Sequence, residues 1–262
     1  MDLLITAHLH YNLATPCDIL LQIEAAPDDE QTLINAEIGL SPVEHFARVQ
    51  GEEGIGDRIW LHAGNRLICD YSARVRINRL TPDIATLQAV PLHTLPGGAV
   101  RYLLASRYCP SDEFQNFVTA EFGHLQGGAR VAAMRDWINT SFAYVSGSST
   151  AQTTALHTFV QRQGICRDFA HVMITLARAS AIPARMASVY APDVQPQDFH
   201  AVAEVYLEGG WHLVDATGMA QADAMARIGV GRDAADVAFM TSYGQAYLVK
   251  QQVNVTRATD AA

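Results

Sequence analysis

One cysteine in the chain sits where its sulfur could act as a nucleophile. In "QRQGICRDFAHVMITLARASAIPARM", residues 161–186, Cys166 follows a Gly-Ile step and opens an apolar-striped segment. Ile165, Phe169, Val172, Met173, Leu176 and Ala177 recur at three- and four-residue spacing, which predicts a helix that begins at the cysteine and ends by Ala181, before Pro183. A thiol at a helix start meets unpaired backbone N–H groups and the positive end of the helix dipole, and both favour thiolate. The backbone N–H of Cys166 is itself placed to donate to a developing oxyanion, and Gly164 permits an unusual backbone angle or a close approach just before it.

Two further residues have the types that such a nucleophile needs. "FHAVAEVYL" and "WHLVDAT", joined by "EGG", read as a β-hairpin. His200, Val202, Glu204 and Tyr206 share one face of the first strand, and Trp211, Leu213 and Asp215 share one face of the second. A turn at Glu208-Gly209 pairs Val202 with Asp215, and one at Gly209-Gly210 pairs Glu204 with Asp215. Either register leaves His200 and Asp215 on the same face, two or four residues apart. Asp215 orienting one imidazole nitrogen while the other faces Cys166 is the nucleophile, base and orienter arrangement of acyl transfer. Among the other histidines, His8, His10, His157, His171 and His212 have no metal-ligand company. Asp168 reads as a structural first-turn carboxylate, Arg185, Asp233 and Asp236 as ion-pair or turn residues, and Trp211 as core.

The elements that must position these groups fall into two halves. "DLLITAHLHY", "CDILLQIEAA" and "RLICDYSARVRINRL" alternate apolar and polar residues as half-buried strands do, with turn chemistry in "APDDEQ", "QGEEGIGD" and "HAGNR". These predict an antiparallel β-sandwich over residues 1–105. Beyond it, "CPSDEF" starts a helix, Val131, Met134, Ile138 and Phe142 mark one face of the next, and "TTALHTFVQRQ" gives a short third. The second half, residues 106–262, is thus an α+β unit carrying Cys166, His200 and Asp215.

Composition narrows the function classes. Of 262 residues, 49% are hydrophobic and 17% charged, which fits an ordered globule. A formal net charge of -9 and the lack of a basic cluster argue against nucleic acid as partner. No run of about 18 apolar residues suggests a membrane span, and "MDLLITAHLHYNL" lacks a basic leader, so the expected location is cytoplasmic. Cys17, Cys69, Cys109 and Cys166 contain no CxxC pair and are expected to be reduced thiols. No acidic loop has calcium-ligand spacing and no Cys/His set suits zinc, so neither metal nor cofactor is expected.

Three motifs in order, "GICRDFAHVMITLARASAIPAR", "DFHAVAEVYLEGGWHLVDAT" and "GRDAADV", closely resemble the bacterial transglutaminase-like family, whose members are often described as cysteine proteases. The resemblance covers most of residues 106–262 and extends more loosely to "GDRIWLHAGNRL" in a β-rich N-terminal domain. It implies a papain-like α+β core in which Cys166, His200 and Asp215 occupy the catalytic positions. It also implies an aromatic oxyanion-hole residue before the cysteine, for which Tyr144 and Trp137 are both candidates. The chain departs from the family pattern at three positions: Val202 stands where Trp is common, Ala216 where Pro is, and Ala181 where Gly is. Loss of an indole at Val202 is expected to widen or reshape the cleft.

These observations lead to an enzyme acting on a peptide or other amide through a Cys-His-Asp triad, as a protease or amidase. A protein-crosslinking or amine-transferring transglutaminase is the alternative within the same chemistry. A non-catalytic peptide-binding module is the alternative of another class. The oligomeric state is not legible.

Overall fold

A computed structural model describes residues 1–258. The first six strands are β1 (Asp2–Leu13), β2 (Cys17–Leu21), β3 (Gln31–Leu40), β4 (Val43–Gln50), β5 (Asp57–Ala63) and β6 (Arg66–Ile77). Helices α1 (Gly97–Val100), α2 (Gln115–Phe122) and α3 (Gly127–Ser141) lead to the short strand β7 (Ala143–Tyr144). Then come α4 (Ala155–Gln161), the short strand β8 (Gln163–Gly164), α5 (Cys166–Ala179), β9 (Ala184–Tyr190), β10 (His200–Leu207) and β11 (Gly210–Val214). The chain closes with β12 (Ala226–Gly231), β13 (Met240–Ser242) and β14 (Ala246–Arg257).

Two antiparallel sheets, β14-β1-β6-β3 and β13-β2-β5-β4, face each other as the expected sandwich. Their alternating residues supply its core: Leu3, Ile5 and Leu9 from β1, Ile19 and Leu21 from β2, Ile59 and Leu61 from β5, and Leu67, Cys69 and Val75 from β6. The division expected at residue 105 needs correction. The last N-terminal strand ends at Ile77, and the sandwich is completed by the chain's end, with β14 pairing along nearly all of β1 and β13 pairing with β2. Residues 240–257, expected to belong to the second half, are therefore hydrogen-bonded parts of the first.

The third antiparallel sheet, β11-β10-β9-β12, carries α5 against one face. Eleven successive residues of α5, Asp168–Arg178, are buried, because α2, α3 and α4 cover the sides that the sheet leaves open. The helix is thus covered on all sides, and its polar side chains Asp168, His171, Thr175 and Arg178 are buried with the apolar ones. It ends as a Schellman-type cap: Ile182 N–H reaches Ala177 O at 3.0 Å, and Ala181 adopts φ 59°. That left-handed conformation is why glycine suits this position and why alanine there costs about 1 kcal/mol. Ala181→Gly is expected to stabilise the fold by that amount and raise Tm by roughly 2–4 °C, as thermal melts would show.

A buried charge network joins this sheet to the sandwich. Glu204 accepts from Arg185 Nε at 2.6 Å and lies 2.7 Å from Arg227 Nη2, while Arg227 also pairs with Asp28 and Glu30 in the loop before β3. Gln31 fixes the same junction through the backbone of Arg227, accepting its N–H at 2.7 Å and donating to its carbonyl at 2.8 Å. Arg185 therefore forms the expected ion pair. Its guanidinium also stacks over Trp211, 4.1 Å from the ring centre, and Trp211 is half-buried rather than core.

Candidate active site

The sequence features around Cys166 fold for identifiable reasons. Asp168, fully buried, accepts from the Ile165 backbone N–H at 2.9 Å and caps the first turn of α5 from its third position. Ser149 and Arg167 donate to its other oxygen, at 2.9 and 3.1 Å, so Asp168 is structural as expected. Gly164 is required by close approach rather than by an unusual φ. A Cβ there would lie 2.7 Å from Asp168 Cβ and 3.2 Å from Thr158 Cγ2.

On the hairpin, Ala203 pairs with Val214 and Leu207 with Gly210, so the turn is at Glu208-Gly209. Both turn residues have positive φ, 50° and 83°, as a two-residue hairpin turn of the primed type demands. Continuing the register places Val202 opposite Asp215, the first of the two alternatives. The remaining two-residue offset is spanned by side chains: His200 Nε2–H donates to Asp215 Oδ2 at 2.9 Å. Both residues are buried, at 1% and 8% exposure. Asp215 is held in turn by Thr217, which donates from its backbone N–H and its hydroxyl at 2.8 and 2.7 Å, and by the Ala220 N–H at 2.9 Å. Burial opposes the charge on Asp215, yet these bonds and His200 hold its pKa below the usual carboxylate value.

The second ring nitrogen, His200 Nδ1, is buried without a conventional partner, and the Cys166 side chain faces the ring. Burial lowers the imidazolium pKa, but the Asp215 hydrogen bond and the sulfur outweigh it and push it up to about 10. The three residues of the expected set are therefore brought together. Cys166 is half-exposed, whereas Cys17, Cys69 and Cys109 are buried, and all four are free thiols. Burial pushes the thiols of Cys69 and Cys109 up to about 12.

The structure also chooses between the two aromatic candidates. Trp137 packs among Phe117, Phe122, Phe142 and Phe159, with Arg162 over its face, away from the thiol. Tyr144 instead lines the same cavity as Cys166, with its hydroxyl within electrostatic reach of that residue. Burial, then the nearby sulfur, push its pKa up to about 12, so the phenol keeps its proton at neutral pH. It gets there through β7 and β8, which pair in parallel with Tyr144 beside Gly164.

Tyr144, Cys166 and His200 line a cavity of about 600 Å³. One wall belongs to the α+β core through Met186 and Val194, and another to the sandwich side through Met240 and Gln251. Val202 does not border it. It is 1% exposed in a separate apolar cluster with Val189 and Leu213, so the expectation that it reshapes the cleft is overturned. Asp233 and Asp236 are turn and ion-pair residues, as expected: Asp233 accepts from the Tyr108 and Ala235 N–H groups and Asp236 pairs with Arg232. Among the described residues, no three His, Cys, Asp or Glu side chains converge to hold a metal ion, and no helix is long and apolar enough to cross a membrane.

A family model, the transglutaminase-like superfamily, matches residues 116–216, a span that includes Cys166, His200 and Asp215. The crystal structure of a "Putative Cysteine Protease" from Cytophaga hutchinsonii superposes with a TM-score of 0.92 at 31% identity, over 100% of this chain and 92% of that one. The chain belongs to the transglutaminase-like superfamily. Its likeness to that relative includes the β-sandwich as well as the core, since both chains are covered almost end to end. An uncharacterized protein of Mycobacterium leprae, ML0607, is 29% identical over 124 residues. That match spans 44% of this chain and 44% of the relative, less than half the length of either. The periplasmic domain of TgpA from Pseudomonas aeruginosa is more distant, with 19% identity and a TM-score of 0.42 over 81% of this chain and 76% of its own.

Proposed function

We propose that this transglutaminase-like protein is a thiol-dependent enzyme that cleaves an amide or peptide bond, with Cys166 as nucleophile, His200 as acid and base, and Asp215 as orienter. The reading rests above all on the His200 ring: one nitrogen bonds to Asp215 at 2.9 Å while the other side meets the sulfur of a helix-start cysteine. An imidazolium beside the sulfur favours thiolate. The thiolate attacks the amide carbon, the developing oxyanion takes hydrogen bonds from the Cys166 N–H and the Tyr144 hydroxyl, and His200 passes its proton to the leaving amine. Neutral His200 then takes a proton from water, which attacks the thioester; the acyl group leaves as the carboxylic acid, and the Cys166 thiolate beside protonated His200 is restored. Cys166 is partly exposed and lines the cavity, so water can reach the thioester.

Screening a library of peptide and simple amides, with Cys166→Ala as control, tests this reading. Hydrolysis is expected without added amine, and a primary amine should divert only part of the thioester, in proportion to its concentration. Product formed only when amine is present would support amine transfer instead. Binding without any turnover would support a peptide-binding module. Tyr144→Phe is expected to lower kcat by roughly 10²–10³-fold, the usual cost of one oxyanion donor, with little change in KM.

A further inference from the structure

The cleft holds a charge that the proposed chemistry does not use. Asp198 lies two residues before His200, lines the cavity that contains Cys166, and is exposed in it. Its Oδ1 is fixed by two donors, the Phe199 backbone N–H at 2.8 Å and Gln251 Nε2 at 2.7 Å. Its Oδ2 has no donor, and the carboxylate has no ion-pair partner among the described residues. Gln251 comes from β14 and is oriented by β1, since its Oε1 accepts from the Tyr11 hydroxyl at 3.5 Å. With that end engaged, the amide presents its NH₂ to Asp198.

The carboxylate also lies electrostatically close to the reacting end of the cleft. Burial is the main reason that the pKa of Tyr144 is raised, but the charge of Asp198 adds to it, and Tyr144 lines the same cavity as Cys166. Apart from Cys166 and His200, the remaining ionisable side chain of opposite charge lining the cavity is Arg167, already matched by Asp168, the Ser149 hydroxyl and the Thr150 carbonyl. Beside the Cys166 and His200 pair, what remains is one carboxylate without a cationic partner, near apolar walls such as Val194, Val237 and Met240.

We propose that Asp198 binds a cationic group of the substrate, an ammonium or guanidinium, and that Gln251 is its positioning residue. This assignment rests on the cleft being the substrate site. A carboxylate held in place by two donors with one free oxygen loses little on accepting a third, and a charged donor makes the stronger hydrogen bond. It also gives the sandwich a part in selecting substrate, because Gln251 and Tyr11 both belong to it.

The test uses two reagents for Cys166, (2-aminoethyl) methanethiosulfonate and (2-sulfonatoethyl) methanethiosulfonate. In each, the cysteine sulfur bonds to the reagent's sulfenyl sulfur and methanesulfinate leaves with the bonding pair. Asp198→Asn is expected to lower the ratio of cationic to anionic labelling rates by roughly tenfold or more, an effect of about 1.4 kcal/mol. Asp198→Glu should keep most of the ratio, Gln251→Leu should lower it part-way, and Asp193→Asn, which removes a charge from the same loop outside the cavity, should leave it as in the wild type. Asp198→Asn within about twofold of the wild-type ratio overturns the assignment, on the same tenfold scale. Competitors then name the cation. Slower labelling by acetyl-lysine methylamide indicates a side chain, and slower labelling by norleucine methylamide indicates a chain terminus. Equal protection by uncharged acetyl-norleucine methylamide overturns the proposal. Because the readout needs a reactive thiol and no turnover, an intact ratio in a protein that cleaves no amide would refute the hydrolase reading alone.

Discussion

His200→Ala is expected to lower amide turnover by roughly 10⁴-fold or more, while Asp215→Ala should leave a measurable remainder, because the base makes and breaks the reacting bonds and the orienter acts through it. The pH dependence separates their roles further. Burial lowers the imidazolium pKa of His200, but Asp215 and Cys166 hold it at about 10, far above the ordinary 6.5. In the proposed mechanism the protonated ring is the form that donates to the leaving amine. That form is present below its pKa and is lost as pH rises through about 10. In the wild type, the alkaline limb of kcat/KM should therefore lie near pH 10. Asp215→Asn removes the largest of the stabilising contacts, so its limb should move to lower pH. Profiles that coincide for the two proteins would show that Asp215 does not set the protonation of His200.

Glu204→Ala should destabilise the fold by about 3–5 kcal/mol, since it leaves Arg185 and Arg227 buried with their shared partner removed. Chemical denaturation would measure it. The same carboxylate makes an acid-stability prediction. Burial alone would raise its pKa, but the two arginines lower it from 4.5 to about 2. A depressed folded-state pKa stabilises the native state above pH 4.5, and that contribution is lost as pH falls through about 2. The wild type should lose Tm over that window, whereas Glu204→Gln should start lower and fall less. Equal acid sensitivity of the two proteins would assign the loss to other carboxylates.

The site was more legible in the sequence than its frame. Cys166 stands out because a 3.6-residue apolar period starts at it, and the pairing of His200 with Asp215 follows from strand parity, which needs no distance. Tyr144 could not be chosen over Trp137 because what selects it is a two-residue parallel pairing of β7 with β8, too short to leave a periodic signal. Thr217 and Gln251 were missed for related reasons. Thr217 acts within a loop, and Gln251 reaches the cleft only because β14 crosses the whole chain to pair with β1. Strands β3 and β4 gave no alternation because most of their residues are exposed on both faces. The boundary at residue 105 failed on the same long-range fact as Gln251: strands pair by shape and burial, and nothing local in "AYLVKQQVNVTR" names a partner over 200 residues earlier.

The central claim is that His200 activates the Cys166 thiol. It is tested most directly by the rate of alkylation with iodoacetamide at pH 7, followed by mass spectrometry for all four cysteines in the wild type and in a His200→Ala variant shown by circular dichroism to be folded. Exposure alone predicts that Cys166 outpaces the buried Cys17, Cys69 and Cys109 in both proteins. Activation predicts in addition that Cys166 reacts roughly tenfold or more faster in the wild type than in the variant, since only the thiolate is the nucleophile. Equal Cys166 rates in the two folded proteins would contradict the account.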